Sequence, residues 1–364
     1  TLTAAQVCES ITLGLHDYDL DIEVVSHPLA DGGEGTLDLL ETILNLERVP
    51  VEVKDPLYRS IGSYYLRNES SAFIEMALAS GLQLLKSEER NPLLTSTYGT
   101  GQLIKHAIKH GAKHIYLMIG GSATNDGGAG MAEALGFQFS AEHGIIPKVN
   151  GVVLADIEDV SDKTDGLLAN ISFTVLTDVQ NVLLGPQGAS AVYGHQKGAD
   201  DDMVITLDQG LAQLASELNN GFENVPGTGA AGGLGYGAMS FLGAELKSGI
   251  ETVMEITDFD ARLEGVDLII SGEGKMDLQT VEGKVIAGVS EKAQASDIPF
   301  SVICGIAEDL QKVQENIQAY SIHPLVDGVV NSEEAMGNSF ALVRKRAYQL
   351  IKEFAMDRQT PRSE

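Results

Sequence analysis

Four short turns of this 364-residue chain combine glycine with charged or amide side chains, and these residue types suit the binding of anions. The longest has the sequence GGSATNDGGAG and follows an apolar run at 115–119 that we predict to be a strand. Small residues let backbone N–H groups approach an anion, and a helix that follows the turn would add a favourable dipole. The residues expected to line this turn are Gly120, Gly121, Ser122, Asn125 and Asp126. A tight strand-to-helix turn without a ligand is the alternative.

Two further turns add carboxylates and a lysine. The sequence ADGGEGT places Asp31 and Glu34 at a predicted strand-to-helix junction, where they either bind a ligand or cap the helix. The sequence LTDVQN ends a predicted strand with Asp178 and Asn181. Only folding could bring these two side chains close to Lys197, which lies in the sequence QKG.

The fourth turn, with the sequence SGEGKMDLQT, carries Gly272, Glu273 and Asp277 and is followed by Lys284. Its carboxylates suit Mg²⁺ or the proton of a hydroxyl group, and Lys284 suits a phosphoryl group in transfer. Surface ion pairs are the alternative explanation for these charges. Together the four turns predict Mg²⁺-assisted phosphoryl transfer.

Other enzyme classes lack their sequence signatures. A Walker A motif is absent, because Gly283-Lys284 is followed by valine and has no upstream glycine at the required spacing. The GTGAAG segment matches a dinucleotide-binding pattern but does not follow a clear strand, so it is weak evidence. No G-x-S-x-G nucleophile elbow occurs.

Composition excludes several partners. With 24 basic and 52 acidic residues the net charge is −28, which disfavours binding to nucleic acid or to an anionic membrane surface. Apolar residues make up 43% and charged residues 21%, as in folded globular proteins. The sequence shows no membrane-spanning segment or secretory leader, and its two cysteines form no disulfide framework. We expect a cytoplasmic protein with small-molecule substrates and leave a homo-oligomer open.

The alternation of elements predicts an α/β fold. A capping box at Thr3 and Gln6 opens a helix, a strand is predicted at Ile22–Val25, and a second helix near 36–44. Strands are also predicted at 115–119, 266–270 and 300–303, and a closing helix from about 332. Such alternation is typical of a parallel sheet. Short strand-like runs at 51–77 and the region 137–257 break the pattern, which indicates a second α/β unit inserted into the first.

Several motifs resemble the type I family of bacterial glycerate kinases, in family order over essentially the whole chain. They are DGGEGT from Asp31, ERNPL from Glu89, TYGTG from Thr97, GGSATNDGG from Gly120, GASAV from Gly188, QKG from Gln196, GAAGGLG from Gly229, GEG from Gly272 and DLQT from Asp277. The family ordinarily begins with a strand and an Asp-Ser-Phe-Lys loop before the first helix, and we expect a native segment of that kind to precede Thr1.

The resemblance implies ATP-dependent phosphorylation of D-glycerate, usually at the 2-hydroxyl. It also implies two α/β domains, for which we predict these ranges: a Rossmann- or flavodoxin-like domain at 1–47, 92–135 and 258–364, and a smaller mixed domain at 48–91 and 136–257. For the chemistry we expect Asp178 or Asp277 as base or Mg²⁺ ligand, and Lys197 and Lys284 as anion-binding residues. A kinase for another small hydroxy acid and a catalytically silent ligand-binding protein of the same fold are the alternatives.

Overall fold

The computed structural model describes residues 2–33, 35–276 and 285–359. The strands are β1 (Glu47–Lys54), β2 (Ser60–Arg67), β3 (Ser71–Glu75), β4 (His114–Met118), β5 (Phe137–Ala141), β6 (Gly144–Ile145), β7 (Asp159–Asp162), β8 (Ser172–Leu176), β9 (Glu245–Lys247), β10 (Ile269–Met276), β11 (Phe300–Ala307) and β12 (Ser321–Pro324). The helices are α1 (Ala4–Tyr18), α2 (Thr36–Leu44), α3 (Ala77–Ser80), α4 (Tyr98–Lys109), α5 (Ala129–Leu135), α6 (Ala189–Tyr193), α7 (Asp201–Leu218), α8 (Ala230–Leu242), α9 (Gly249–Ile256), α10 (Val285–Ala295), α11 (Leu310–Asn316), α12 (Ser332–Gly337) and α13 (Ser339–Gln359). Short 3₁₀ helices cover Leu82–Leu84, Ser87–Glu89, Gly151–Asp156, His195–Lys197, Phe222–Asn224 and Asp260–Arg262.

The chain divides into two compact units. Unit 1 comprises Thr1–Ala30 and Val253–Glu364, and unit 2 comprises Asp31–Thr252. Each unit has its own sheet and its own apolar core.

A mixed sheet with the strand order β1-β2-β3-β4-β8-β9 forms the centre of unit 2. The strands β1, β2 and β3 pair antiparallel, whereas β3, β4, β8 and β9 pair parallel. Ile115, Leu117 and Met118 of β4 are buried, as is typical of a parallel strand covered on both faces. Because β4 and β8 are neighbours and run in the same direction, the turns that follow them lie at one edge of the sheet. A small antiparallel sheet, β6-β5-β7, completes the unit.

Unit 1 contains a parallel sheet of order β10-β11-β12 and a pair of packed helices, α1 and α13. The two helices bury Leu15 and Ala347 between them. Gly14 allows their close approach, because a Cβ at this position would overlap the backbone oxygen of Arg344. The unit is therefore built from the two ends of the chain.

The structure confirms the predicted α/β class and several individual elements. Helix α1 begins with the predicted capping box, in which the side chains of Thr3 and Gln6 each accept a hydrogen bond from the other residue's backbone N–H. The predicted helix near 36–44 and the strands at 115–119 and 300–303 correspond to α2, β4 and β11. Helical periodicity of apolar residues, and short apolar runs bounded by turn residues, were sufficient to predict these elements.

Other element predictions were wrong. The segment Ile22–Val25 belongs to no sheet of the described residues, although Ile22 and Val24 pack against the core of unit 1. The alternation of apolar and polar residues in this segment reflects burial of its apolar side chains and not pairing in a sheet. The strand predicted at 266–270 begins at Ile269 and continues through the glycine-rich segment to Met276, because β11 pairs with its backbone. The closing helix is interrupted at Asn338, and Met336 is largely exposed.

The division into units also differs from the predicted domain ranges. Segment 92–135 was assigned to the domain that holds 258–364, whereas its strand β4 pairs with β3 and β8 of unit 2. Alternation of strands and helices does not specify which strands pair. Among the helices that the structure describes, none is long and apolar enough to cross a membrane.

Candidate active site

A cleft of about 400 Å³ opens in unit 2 where β4 and β8 end. Two of its walls are the turn 119–122, which follows β4, and residues 176–179, at the end of β8. The other residues that line it are Asp31, Gly32, Gly33, Leu82, Tyr193, Gln196, Lys197, Ala230 and Ala231. The structure thus brings together Asp31, Gly120, Gly121, Ser122, Asp178 and Lys197 from the predicted site, as expected for turns at one edge of a parallel sheet.

Lys197 is buried in the wall of this cleft, with only 1% of the residue exposed. Its Nζ donates to the hydroxyl of Ser122 at 2.7 Å and to the backbone oxygen of Thr124 at 2.6 Å. An ammonium group has three N–H donors, so one remains for a ligand. Burial lowers the pKa of Lys197 to about 7, although the nearby charge of Asp126 opposes the shift. Near neutral pH, Lys197 therefore exchanges between a charged and a neutral form.

Asp178 supplies a half-buried carboxylate to the same cleft. Its Oδ1 accepts hydrogen bonds from the backbone N–H of Gly249 at 2.8 Å and from the hydroxyl of Ser248 at 3.1 Å. Burial, and to a smaller extent the charges of Asp31 and Glu251, raise the pKa of Asp178 to about 6 against the effect of these two hydrogen bonds. A carboxylate with a raised pKa is better suited to accepting a proton than an ordinary aspartate.

Asp31 lies in a turn that closes on its own backbone and packs close to Asp178. Its Oδ1 accepts from the N–H of Gly33 at 3.1 Å, as in the local turns that aspartate favours. Gly249 makes this packing possible, because a Cβ there would overlap the backbone oxygen of Asp31 and come within 2.9 Å of Oδ2 of Asp178. The start of α9 therefore holds the carboxylate of Asp178 and packs against the backbone of Asp31.

The second half of the glycine-rich turn does not have the structure that the sequence predicted. The buried carboxylate of Asp126 accepts hydrogen bonds from Thr97 at 2.7 and 2.8 Å and from the N–H groups of Gly128 and Gly130 at 3.2 Å each. The N–H of Met131 donates to the hydroxyl of Thr97 at 2.8 Å. The start of α5 is thus capped by the protein itself, and only the first residues of the turn face the cleft.

Other predicted residues lie outside the cleft wall. Asn125 is buried and exchanges hydrogen bonds with Ser190. Asn181 donates to the backbone oxygen of Gln187 at 2.9 Å and accepts from the hydroxyl of Tyr193 at 2.6 Å, so it supports a residue that does line the cleft.

Five further predicted site residues either lie in a strand of unit 1 or lie outside the described residues. Gly272 and Glu273 are part of β10 in unit 1, where they pair with Ile303 and Cys304 of β11. Glu34, Asp277 and Lys284 lie outside the described residues, so their roles stay predictions.

Sequence reasoning missed Tyr193, Ser248 and Gly249. Tyr193 lies four residues before Lys197, one turn away, but a lone tyrosine in an apolar run gives no signal for a ligand site. Ser248-Gly249 precedes an apolar, periodic run, which is a recognisable helix start. No local pattern could show that this start contacts Asp178, because the two are 70 residues apart in the chain.

The carboxylates of the cleft fit a magnesium ion that is shared with phosphate groups. Within the described residues, no group of three or more His, Cys, Asp or Glu side chains could hold a metal. Mg²⁺ does not require such a group, since it commonly uses one or two carboxylates together with water and substrate phosphates. Asp178, with Asp31 close by, provides a donor set of that kind.

Comparison with known proteins gives a consistent result. The model of the glycerate kinase family matches residues 1–355. A glycerate kinase from Bacillus subtilis is 38% identical over 95% of this chain and 93% of its own length, and a glycerate 2-kinase from Escherichia coli is 39% identical over 85% of this chain and 83% of its own. The crystal structure described as a "putative glycerate kinase 2" from Salmonella typhimurium LT2 superposes with a TM-score of 0.86 at 36% identity, over 99% of this chain and 96% of that one.

Proposed function

Since the chain belongs to the glycerate kinase family, we propose that it transfers the γ-phosphoryl group of ATP to D-glycerate, at the 2-hydroxyl. The observation that carries the proposal is the presence of Asp178 and Lys197 in one cleft at the end of the parallel strands. A hydroxy acid offers a hydroxyl group to a base and a carboxylate to a cation. This pair of side chains matches both groups.

Lys197 binds an anionic oxygen in this proposal. Its fixed contacts with Ser122 and Thr124 hold the ammonium group in place before the substrate arrives, so little reorganisation is needed during the reaction. The anion in turn favours the charged form of the lysine, because an opposite charge nearby raises the pKa of an amine.

Asp178 accepts the proton of the attacking hydroxyl. As the glycerate oxygen bonds to the γ-phosphorus, the proton moves to the carboxylate, and the bond from that phosphorus to the leaving oxygen of ADP breaks. Ser248 and Gly249 hold Oδ1 and so orient the carboxylate. A positioned base of this kind contributes about 10²- to 10⁴-fold to a rate.

Mg²⁺ would be held near this base by Asp31 together with the substrate phosphates, and Asp277 stays a ligand by our sequence prediction. When bound, the ion neutralises phosphate charge. Lys284 stays a proposed second anion-binding residue. We also propose that the protein works in the cytoplasm.

The test is a coupled assay for ADP release with D-glycerate, L-glycerate and a panel of small hydroxy acids. We expect turnover with D-glycerate, a 2-phosphorylated product by ³¹P NMR, and loss of activity with excess chelator. Asp178→Asn should lose about a hundredfold or more in kcat, with the exposed Asp201→Asn as the matched control. Turnover of another hydroxy acid in place of glycerate would contradict the substrate, and no ADP release with any of them would contradict the enzymatic function.

A further inference from the structure

Arg90 is an arginine of unit 2 whose buried Nε has no hydrogen-bond partner among the described residues. It belongs to the ERNPL motif, to which the proposed mechanism gives no role. We propose that Arg90 forms an oxyanion subsite beside the cleft, which binds an anionic group of one of the two substrates. This inference rests on the proposed function.

The hydrogen bonding of Arg90 is incomplete. Its Nε is buried and has no hydrogen-bond partner, and the side chain forms no ion pair within the described residues. The other arginines of unit 2 are paired: Arg48 contacts Asp38 and Glu41, Arg59 contacts Asp55 and Glu89, and Arg67 contacts Glu47. Since buried polar groups in folded proteins are nearly always satisfied, an unpaired guanidinium nitrogen indicates a ligand or water position.

The backbone of Arg90 lies against the turn that carries Lys197. A Cβ at Gly198, the residue after Lys197, would overlap the backbone oxygen of Arg90 and come within 3.0 Å of its Cβ. The hydroxyl of Thr124 is also buried without a hydrogen-bond partner among the described residues, and the backbone oxygen of Thr124 accepts from Nζ of Lys197. Two residues that carry an unsatisfied polar group thus have backbone atoms against Lys197 or the residue that follows it.

The segment that carries Arg90 is held in place. Glu89 accepts a hydrogen bond from Nη1 of Arg59 at 2.6 Å, and its other oxygen accepts from the backbone N–H of Lys86 at 3.0 Å. The hydroxyl of Thr95 donates to the backbone oxygen of Ala123 at 2.9 Å, which ties the following residues to the glycine-rich turn. Arg90 itself does not line the cleft, so the subsite adjoins the cleft at this turn.

The charge of the substrates favours a second cation beside the cleft. The reaction brings together a carboxylate and a triphosphate on a chain with a net charge of −28, and Asp31 and Asp178 add negative charge to the cleft. Among the described residues that line the cleft, Lys197 is the one with a lysine or arginine side chain. A guanidinium group binds the two oxygens of a carboxylate or phosphate at once and stays charged at every working pH.

The experiment compares Arg90→Met and Arg90→Lys with Arg67→Met, a matched control in which a half-buried arginine already has partners. We expect Arg90→Met to raise one KM about tenfold or more, as for a lost hydrogen bond to a charged group. A raised KM for glycerate identifies the carboxylate as the ligand, and a raised KM for ATP identifies a phosphate. Ethylguanidinium should restore part of the loss, and Arg67→Met should change neither KM.

Titration calorimetry with D-glycerate, ATP and inorganic phosphate tests the subsite without turnover. We expect weaker binding of at least one of these anions to Arg90→Met. Unchanged KM values and unchanged affinities would overturn the inference, and Arg90→Lys serves the same comparison if Arg90→Met does not fold. A wild-type protein that binds these anions but phosphorylates no hydroxy acid would contradict the proposed function and not the role of Arg90. That role is decided by the affinities of the wild-type protein and Arg90→Met for the three anions.

Discussion

Asp178 and Lys197 have pKa values shifted toward each other by the same cause. Burial raises that of Asp178 to about 6 and lowers that of Lys197 to about 7. Groups that share a site and titrate near neutrality are typical of acid and base roles in enzymes. The two residues therefore stand out from the many surface charges of the chain, whose ion pairs are mostly exposed.

The pH profile should report both groups. Asp178 must be ionised to accept a proton, so kcat/KM should rise as the pH increases through about 6. Lys197 must be protonated to bind an anion, so kcat/KM should fall as the pH increases through about 7. In the profile of kcat the falling limb should move to higher pH, because bound substrate favours the charged lysine. Asp201→Asn, at an exposed residue outside the cleft wall, is the control and should give the profile of the wild-type protein. A profile without a rising limb near pH 6 would contradict the role of Asp178.

Lys197→Met should separate activity from stability. Methionine removes the ammonium group and fills similar space, so kcat/KM should fall by about a hundredfold or more. The melting temperature should change by only a few degrees, because the loss of a buried charge offsets the loss of hydrogen bonds to Ser122 and Thr124. Steady-state kinetics and thermal melts measure both quantities, with the exposed Lys109→Met as control. Near wild-type kcat/KM would show that Lys197 only supports the turn.

At the scale of elements, the sequence was informative where a signal is local. The capping box of α1, the apolar run of β4 and the Asp that follows β8 could all be predicted. Gly120 and Asp178 both line the cleft where the parallel strands β4 and β8 end. The capping of α5 by Asp126 could not be predicted, because its partner Thr97 is 29 residues away. The glycine-rich part of β10 has no strand propensity of its own and becomes a strand only through pairing with β11.

The close contact between the start of α9 and the two acidic residues gives a test at this scale. Gly249→Ala introduces a Cβ that would overlap the backbone oxygen of Asp31, so the turn or the helix start must move. We expect a loss of about 1–3 kcal/mol in the free energy of unfolding and at least a tenfold drop in kcat/KM, because Asp178 loses its orientation. Denaturant unfolding and kinetics measure these effects. Gly62→Ala on β2 is the control, since its Cβ would meet open space. Equal kinetics of the two variants would contradict a positioning role for Gly249.

At the scale of the whole molecule, local and global charge act in opposite directions. Lys197 and, by inference, Arg90 attract an anion at short range, whereas the net charge of −28 repels it at long range. Screening by salt weakens interactions between exposed, distant charges much more than those of a buried pair. The long-range repulsion should therefore disappear first as salt is added.

This balance predicts that kcat/KM for the anionic substrates increases with ionic strength, by about two- to fivefold between 10 and 150 mM KCl. The increase should level off above that range, where the Debye length is only about 8 Å and the buried Lys197 remains unscreened. Matched additions of sucrose control for general effects of cosolute, and Arg90→Met should retain the increase because it leaves the net charge strongly negative. A steady fall of kcat/KM with added salt in the wild-type protein would contradict this balance. It would mean that attraction by the local cations outweighs repulsion by the net charge, even at long range.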